Sequence, residues 1–344
     1  MATRRLLAAG SALLLSLRLL AGTGGTADRL LRAGRAELAE VARMHDPAPA
    51  AETPAPDITA APEPSPEAPV TPAAEPSPAA EPSPAPTTAP DGRTILPTTI
   101  TGGLTIKNET DFSPDLAALL AAGPDLTLPA DGPQVLIMHT HASEAYTPDG
   151  EDHYAASGTA RTEDLNYNIV RVGDRLAEVF TAQGLTVLHD RTIYDYPSYT
   201  GSYSRSGAAV EAALAANPTI RIVIDLHRDA LSDSRIVYKT LAEIPDAACS
   251  QVMLLVGTSG SGLEHPDWER HLRLAVYLQN AVIAEHPTLM RPIALVNERY
   301  NQHLAPGALL IEVGSSGNTL QEALRAVELF GASAGKALAA LKQG

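Results

Sequence analysis

The sequence predicts an α/β fold, a single domain with a mostly parallel sheet covered by helices on both faces. Short, wholly apolar runs such as residues 135–138 and 220–226 are typical of strands buried on both faces. Segments with helical periodicity alternate with these runs along the chain, and the alternation favours parallel strands joined by crossover helices. Residues 93–344 are enough for one large domain or two small ones, and the continuous alternation favours a single domain.

The predicted elements follow one another in the order that such a fold requires. Strands are expected at 95–106 (one or two strands), 135–138, 185–189, 220–226, 252–256 and 309–311. Helices are expected at 115–122, 165–183, 207–216, 268–285 and 320–341. Ser113 is the expected cap of the first helix, and Gly123 and Gly184 are the expected stops of the first two.

Three further segments precede this domain. Residues 1–22 carry Arg4 and Arg5 before an apolar run that Arg18 interrupts, which is typical of a signal peptide or an uncleaved signal anchor. Residues 23–46 read as an amphipathic juxtamembrane segment. Residues 47–92 hold 15 of the 28 prolines and form a Pro/Ala/Glu-rich linker that is expected to be disordered.

The length of the linker suggests that the domain acts on a target far from its point of attachment. A proline-rich chain of this length extends on the order of 100 Å. A tethered domain of this kind suits a bulky, fixed target such as a cell wall. The protein is therefore expected to be exported, either membrane-anchored or secreted, and to face the wall.

Charge and cysteine content exclude several classes of protein. The formal net charge of −15 argues against nucleic-acid binding, which needs a basic surface. The single cysteine, Cys249, excludes an internal disulfide framework and a cysteine-rich zinc module. Cys249 is expected to fill space in the core.

Three predicted strands are followed by histidine and glutamate residues that can bind a metal ion or transfer a proton. His141 and Glu144 come after the strand at 135–138, His227 follows 220–226, and Glu312 follows 309–311. Ligands of parallel sheets bind outside the carboxyl ends of the strands, so these side chains are expected to meet. Two imidazoles and a carboxylate are a typical Zn²⁺ ligand set, and a further carboxylate, Glu312, can act as general base.

Several neighbouring residues offer alternatives or support. His139 lies on the same side of the extended segment as His141 and is an alternative ligand. Asp225 shares a strand face with His227 and is expected to orient the His227 imidazole by accepting a hydrogen bond from it. Asp229 is expected to support the site in a similar way. Arg228 holds the oxyanion of a tetrahedral intermediate, holds a carboxylate of the substrate, or pairs with Asp229 at the surface.

Longer motifs around these residues resemble a known family. The motifs are VLIMHTHASEAY at 135–146, NIVRVG at 168–173, IDLHRDA at 224–230, YNQ at 300–302 and LIEVG at 310–314, followed by Asn318 and Thr319. They resemble the stage II sporulation protein P family over roughly residues 94–341. They are also similar, more distantly, to zinc-dependent N-acetylmuramoyl-L-alanine amidases, whose two strand-end histidines and final glutamate match His141, His227 and Glu312.

The resemblance implies an activity and partners. Members of the family are membrane-anchored peptidoglycan hydrolases, active as amidase and endopeptidase, that degrade septal wall during engulfment of the forespore. They work with a lytic transglycosylase partner and a third membrane protein. On this resemblance, residues 93–344 are a catalytic amidase domain that uses Zn²⁺.

The resemblance also bears on individual residues. The sporulation family suggests Glu144 as the carboxylate ligand, whereas the more distant amidases suggest Glu163. Residues 203–205 resemble a substrate-side segment of the amidases, which makes Arg205 a candidate for substrate binding, together with Asn318.

Two other functions stay open: a zinc carboxypeptidase-like enzyme, and a non-catalytic peptidoglycan-binding or activator domain.

Overall fold

The computed structural model describes residues 85–233 and 235–343. The predicted signal or anchor segment at 1–22, the juxtamembrane segment at 23–46 and most of the predicted linker lie outside the described residues. Within the described ranges, none of the helices has the length and apolar character needed to span a membrane.

The described chain contains ten strands, five α-helices and one short 3₁₀ helix. The strands are β1 (Thr87–Thr88), β2 (Thr94–Thr98), β3 (Ile106–Asn108), β4 (Val135–Met138), β5 (Val187–His189), β6 (Ile222–Asp229), β7 (Ile236–Thr240), β8 (Val252–Gly257), β9 (Ile293–Val296) and β10 (Gly307–Ser315). The helices are α1 (Leu116–Ala122), α2 (Ile169–Ala182), α3 (Ser202–Ala216), α4 (Trp268–Glu285) and α5 (Leu320–Ala339), with the 3₁₀ turn at Gln302–Leu304.

Seven of these strands form the central sheet, in the order β3-β9-β8-β10-β6-β4-β5. All neighbouring pairs in it are parallel except β10 and β8, so the prediction of a mostly parallel sheet is confirmed. A smaller sheet has the order β1-β2-β7. Its first strand falls inside the stretch predicted to be a disordered linker and pairs with β2.

Helices cover both faces of the central sheet, as predicted. On one face α2, α4 and α5 pack together over the main core, which includes the large buried side chains of Leu176, Phe180 and Phe330. On the other face Val210 of α3 packs against Met138 and Val223 from β4 and β6. Burial of this apolar surface is the main force that holds the layers together.

The observed element boundaries differ from the predicted ones where polar residues carry the structure. Strands β6 and β10 run three and four residues past the predicted ends, so His227 and Glu312 lie inside strands and directly opposite each other. The side chain of Asp115, not Ser113, caps α1 by accepting from the amide of Ala118. Helix α2 begins only after Asn168, whose side chain accepts from the amide of Val170. Strands β7 and β9 were not predicted.

A glycine in α2 lets that helix pass close to the end of β4. A Cβ atom at Gly173 would lie 2.6 Å from Nε2 of His139 and 2.6 Å from Nε2 of His189. These two imidazoles are hydrogen-bonded to each other at 2.8 Å beneath the helix. Because residue 173 has no side chain, helix α2 can pack directly on the histidine pair, whose first member, His139, follows the last residue of β4.

We expect Gly173→Ala to lower the free energy of unfolding by about 1–2 kcal/mol, because overpacking of the histidine pair, at the upper end of its usual cost of about 1–3 kcal/mol, outweighs the gain of about 1 kcal/mol in helix propensity. Urea unfolding followed by circular dichroism measures the change. Gly158→Ala is the control, since its Cβ would reach only ordinary contact, 3.7 Å from Cβ of Arg161. Equal or greater stability of Gly173→Ala would contradict the close approach.

Candidate functional site

The ends of β4, β6 and β10 bring the predicted site residues together at one edge of the sheet. The ring centroids of His141 and His227 are 5.4 Å apart. Oε2 of Glu144 lies 3.4 Å from Nδ1 of His227. Glu312 on β10 is the register partner of His227 on β6. Four residues from three separate segments therefore form one cluster.

A buried aspartate joins two of these strands. The Asp225 carboxylate accepts hydrogen bonds from the amide of Thr140 at 2.8 Å and from its hydroxyl at 2.7 Å, and it lies 2.8 Å from Nε2 of His227. Burial alone would raise the pKa of Asp225, but the charge of His227 and the hydrogen bonds from His227 and Thr140 outweigh it and lower the pKa. Asp225 thus orients His227 and ties the segment after β4 to β6.

His227 lies between two carboxylates. Burial would lower its pKa, but Asp225 and Glu144 together raise the pKa well above the usual value. For Glu144, burial would raise the pKa, but the hydrogen bond with His227 and the charges of Arg228 and Arg161 lower it. His227 and Glu144 therefore form an ion pair.

His141 is enclosed by aromatic rings. Its ring stacks on Tyr199 with centroids 4.4 Å apart and an interplanar angle of 11°, and it meets Tyr203 edge-on at 5.4 Å. Nε2 of His141 lies 2.9 Å from the Tyr199 hydroxyl, whereas Nδ1 is buried without a hydrogen-bond partner. Burial lowers the pKa of His141 to about 3, which keeps the imidazole neutral at physiological pH.

Glu312 is the least compensated carboxylate of the cluster. Its Oε2 is buried and has no hydrogen-bond partner. Burial, together with the nearby charge of Asp229, raises the pKa of Glu312 to about 8. A carboxyl group with a pKa in this range can both release and accept a proton near neutral pH, as general acid–base catalysis requires.

The cluster has the donor types of a zinc site. As arranged here, no three histidine, cysteine, aspartate or glutamate side chains of the described ranges are grouped closely enough to hold a metal ion. The chemistry of the donor set fits Zn²⁺ nevertheless, because His141 and His227 offer imidazoles and Glu144 a carboxylate. The unpartnered Nδ1 of His141 is the atom that a metal ion would satisfy.

The two alternative ligands lie elsewhere. His139 turns away from the cluster: its Nδ1 is hydrogen-bonded to the carbonyl of Leu226 at 2.8 Å and its Nε2 to His189 at 2.8 Å. Glu163 is exposed in the segment between β4 and α2. The structure therefore groups His141 and Glu144 with His227 and leaves His139 and Glu163 outside.

Arg228 and Asp229 have different partners. The Arg228 guanidinium donates to the carbonyls of Ala145 and Ala160, both at 2.8 Å, so it holds the segment that carries Glu144. The Asp229 carboxylate pairs with Arg291 at 2.8 Å, whereas Arg228 reaches Asp229 through the backbone carbonyl, to which its Nη1 donates at 3.3 Å. Arg291 is itself buried and places a positive charge near Glu312.

The two predicted substrate-binding residues make backbone contacts. Arg205 donates to the carbonyls of Tyr194, Ser198 and Thr200, and so shapes the loop before α3. Asn318 is fully buried and binds both backbone groups of Thr240 and the carboxylate of Glu322. As placed here, both residues fix the chain around the cluster.

Sequence reasoning missed a buried polar network beside the cluster, formed by Arg161, Asp195 and Ser143, which we call the hub. Nη1 of Arg161 lies 2.6 Å from the buried carboxylate of Asp195, which also accepts from the amide and hydroxyl of Ser143. The same guanidinium lies 3.6 Å from Glu144 and 5.1 Å from the centroid of the Tyr199 ring. These residues belong to irregular segments, so no periodicity marks them.

Comparison with known proteins gives two matches in sequence. The family model described as Stage II sporulation protein P (SpoIIP) matches residues 81–333. Stage II sporulation protein P of Bacillus subtilis (strain 168) is 29% identical over 205 residues, which cover 56% of this chain and 48% of the relative. The chain thus spans about half the length of the curated relative that it matches.

Solved structures of amidases are also similar. The N-acetylmuramoyl-L-alanine amidase from Clostridium difficile 630 is 14% identical, covering 61% of this chain and 95% of that one, with a TM-score of 0.34. The CwlD amidase from Clostridioides difficile, solved with the GerS lipoprotein, is 14% identical, covering 60% and 98%, with a TM-score of 0.36.

We expect Asp195→Asn to lower the free energy of unfolding by about 2–3 kcal/mol. Removing one partner of a buried ion pair costs about 3–5 kcal/mol, and Arg161, which is 24% exposed, regains part of this from water. Chemical denaturation measures the loss. Glu178→Gln breaks an exposed pair with Arg175 and should cost less than about 1 kcal/mol. Equal effects of the two substitutions would argue against the hub.

Proposed function

The chain belongs to the stage II sporulation protein P family, and on that premise we propose that it is a peptidoglycan hydrolase of sporulation. The proposed reaction is cleavage of the amide bond between the lactyl group of muramic acid and the L-alanine of the stem peptide, with endopeptidase activity as a second reaction. The observation that carries the proposal is the convergence of His141, Glu144, His227 and Glu312 at one buried sheet edge.

In this proposal His141, Glu144 and His227 would hold Zn²⁺. When bound, the ion would supply Lewis acidity to the substrate carbonyl and to the attacking water. Two imidazoles, that of His227 after losing its proton, and one carboxylate would satisfy the ion's preference for nitrogen and oxygen ligands. His139 is disfavoured because its ring nitrogens bind the Leu226 carbonyl and His189, outside the cluster, and Glu163 because its side chain is exposed.

Glu312 is the proposed general base. It takes the proton of the attacking water and returns it to the departing L-alanine nitrogen. The raised pKa of about 8 supports this role, because the carboxyl group can then exchange a proton near neutral pH. The Oε2 atom supports it too, because it is buried and has no hydrogen-bond partner.

The remaining predicted residues support this cluster in our proposal. Asp225 orients His227, and the Asp229–Arg291 pair places opposite charges near Glu312. Arg228 positions the Glu144 segment, since its guanidinium is bound to the carbonyls of Ala145 and Ala160. This assignment replaces the oxyanion contact expected from the sequence.

The cellular setting stays a prediction from the family. We propose that the protein is exported, is anchored to the membrane or secreted, and meets septal peptidoglycan together with a lytic transglycosylase and a third membrane protein. The acidic character of the chain, with a net charge of −15, fits a role that does not involve nucleic acid.

A digest of purified peptidoglycan with the full chain tests the reaction, with products identified by mass spectrometry. We expect release of intact stem peptides from the glycan, loss of this release with a chelator, and recovery on addition of Zn²⁺. Cuts only inside stem peptides, with a requirement for a free carboxyl terminus, would instead favour the carboxypeptidase-like enzyme. Wall recovered with bound protein and no products would favour the binding domain.

We expect Glu312→Gln to lower the rate of amide cleavage about 10²–10⁴-fold while the protein still binds zinc, because the amide cannot accept the proton of the water. The digest gives the rate, and metal analysis after dialysis gives the zinc content. Glu211→Gln, an exposed position on α3, serves as the control and should retain full activity. Undiminished cleavage by Glu312→Gln would remove Glu312 from the base role.

A further inference from the structure

One side chain outside the predicted site makes the most direct contact with His141. Tyr199 lies flat against the imidazole at 4.4 Å and brings its hydroxyl to 2.9 Å from Nε2. It belongs to residues 190–201, the segment between β5 and α3, which we call the Tyr199 loop. Neither the motifs nor the periodicity of the sequence single out this tyrosine.

The Tyr199 loop is fixed at several points. Arg205 binds the carbonyls of Tyr194, Ser198 and Thr200, which flank Tyr199 on both sides. Within the loop, Asp195 is buried and joins the amide and hydroxyl of Ser143 to the guanidinium of Arg161. A loop held by this many charge-assisted bonds can place a side chain reproducibly.

We propose that Tyr199 is a positioning residue that fixes both the ring plane and the tautomer of His141, leaving Nδ1 as the nitrogen offered to a metal ion. The inference rests on the proposed function, since it assigns His141 to the metal. Tyr199 contacts the His141 imidazole through both its ring and its hydroxyl, so it acts through His141.

The tautomer follows from the two ring nitrogens of His141. The neutral ring carries one proton. With the proton on Nδ1, a buried N–H group would have no acceptor, which is costly, because Nδ1 has no hydrogen-bond partner. With the proton on Nε2, the Tyr199 hydroxyl oxygen accepts it at 2.9 Å. The second arrangement leaves the lone pair of Nδ1 free for a metal ion.

The ring plane follows from packing. Tyr199 covers one face of the imidazole, while Tyr203 and His227 meet it edge-on at 5.4 Å each. Rotation of the His141 ring about its Cβ–Cγ bond would collide with the flat tyrosine. Stacked and edge-on contacts of this kind stabilise a single orientation.

Arg161 connects Tyr199 to a second member of the cluster. Its guanidinium lies 5.1 Å from the Tyr199 ring centroid and 3.6 Å from Oε1 of Glu144. One cation therefore contacts both the residue that covers His141 and the carboxylate proposed to share the metal with it. The Tyr199 loop and the Glu144 segment are positioned by the same side chain.

The test uses the full chain and three variants: Tyr199→Phe, which removes only the hydroxyl, Tyr199→Leu, which also removes the stacked ring, and the control Tyr196→Phe. Tyr196 lies on the same loop and is 47% exposed. Zinc affinity is measured by competition with a chromophoric chelator. The His141 tautomer is measured in the zinc-free chain from ¹⁵N chemical shifts, and circular dichroism checks folding.

We expect Tyr199→Phe to weaken zinc binding about 10-fold and to populate the Nδ1–H tautomer, and Tyr199→Leu to weaken binding further, up to about 100-fold. Tyr196→Phe should match the parent chain within about two-fold. An unchanged tautomer in Tyr199→Phe, or unchanged zinc affinity, overturns the inference. Failure of the parent chain itself to bind zinc would overturn the proposed function instead, and the tautomer readout would still decide the role of Tyr199.

Discussion

The site depends on one buried carboxylate, that of Asp225. It accepts both the amide and the hydroxyl of Thr140 and lies 2.8 Å from Nε2 of His227. A carboxylate is costly to bury unless it is paired, so these contacts have to form together. Because Thr140 directly precedes His141, the same contacts that stabilise Asp225 also set the separation of His141 and His227, whose ring centroids are 5.4 Å apart.

The other carboxylates of this site each have a positively charged partner, whereas Glu312 has none within hydrogen-bond distance of its Oε2. Asp225 and Glu144 both contact His227, Glu144 also faces Arg161, and Asp229 pairs with Arg291. Glu312 is different, because its Oε2 is buried without a partner and burial raises its pKa to about 8. Perturbed carboxyl groups of this kind are typical of functional sites, where an ionisable group without a partner serves the chemistry and other contacts supply the stability.

The sequence predicted the regular and strongly apolar parts of the molecule well. The strand Val135–Met138 and the helix Trp268–Glu285 were predicted to the residue, and the strand-end rule selected His141, Glu144, His227 and Glu312 as one group. Strand ends were missed where charged residues continue a strand, because only their long-range partners make burial possible. Strand Ile293–Val296 was also missed, and Arg161, Asp195 and Tyr199 lie in irregular segments whose contacts depend on the whole fold.

The central claim is that His141, Glu144 and His227 hold one zinc ion at the sheet edge beside Glu312. The most direct measurement is a crystal structure of the zinc-loaded full chain with anomalous diffraction at the zinc absorption edge. The account predicts one strong peak bonded to Nδ1 of His141, an imidazole nitrogen of His227 and a carboxylate oxygen of Glu144, with Glu312 close by and not bonded. A peak held by other residues, such as His139 or Glu163, or no peak at this edge, would contradict it.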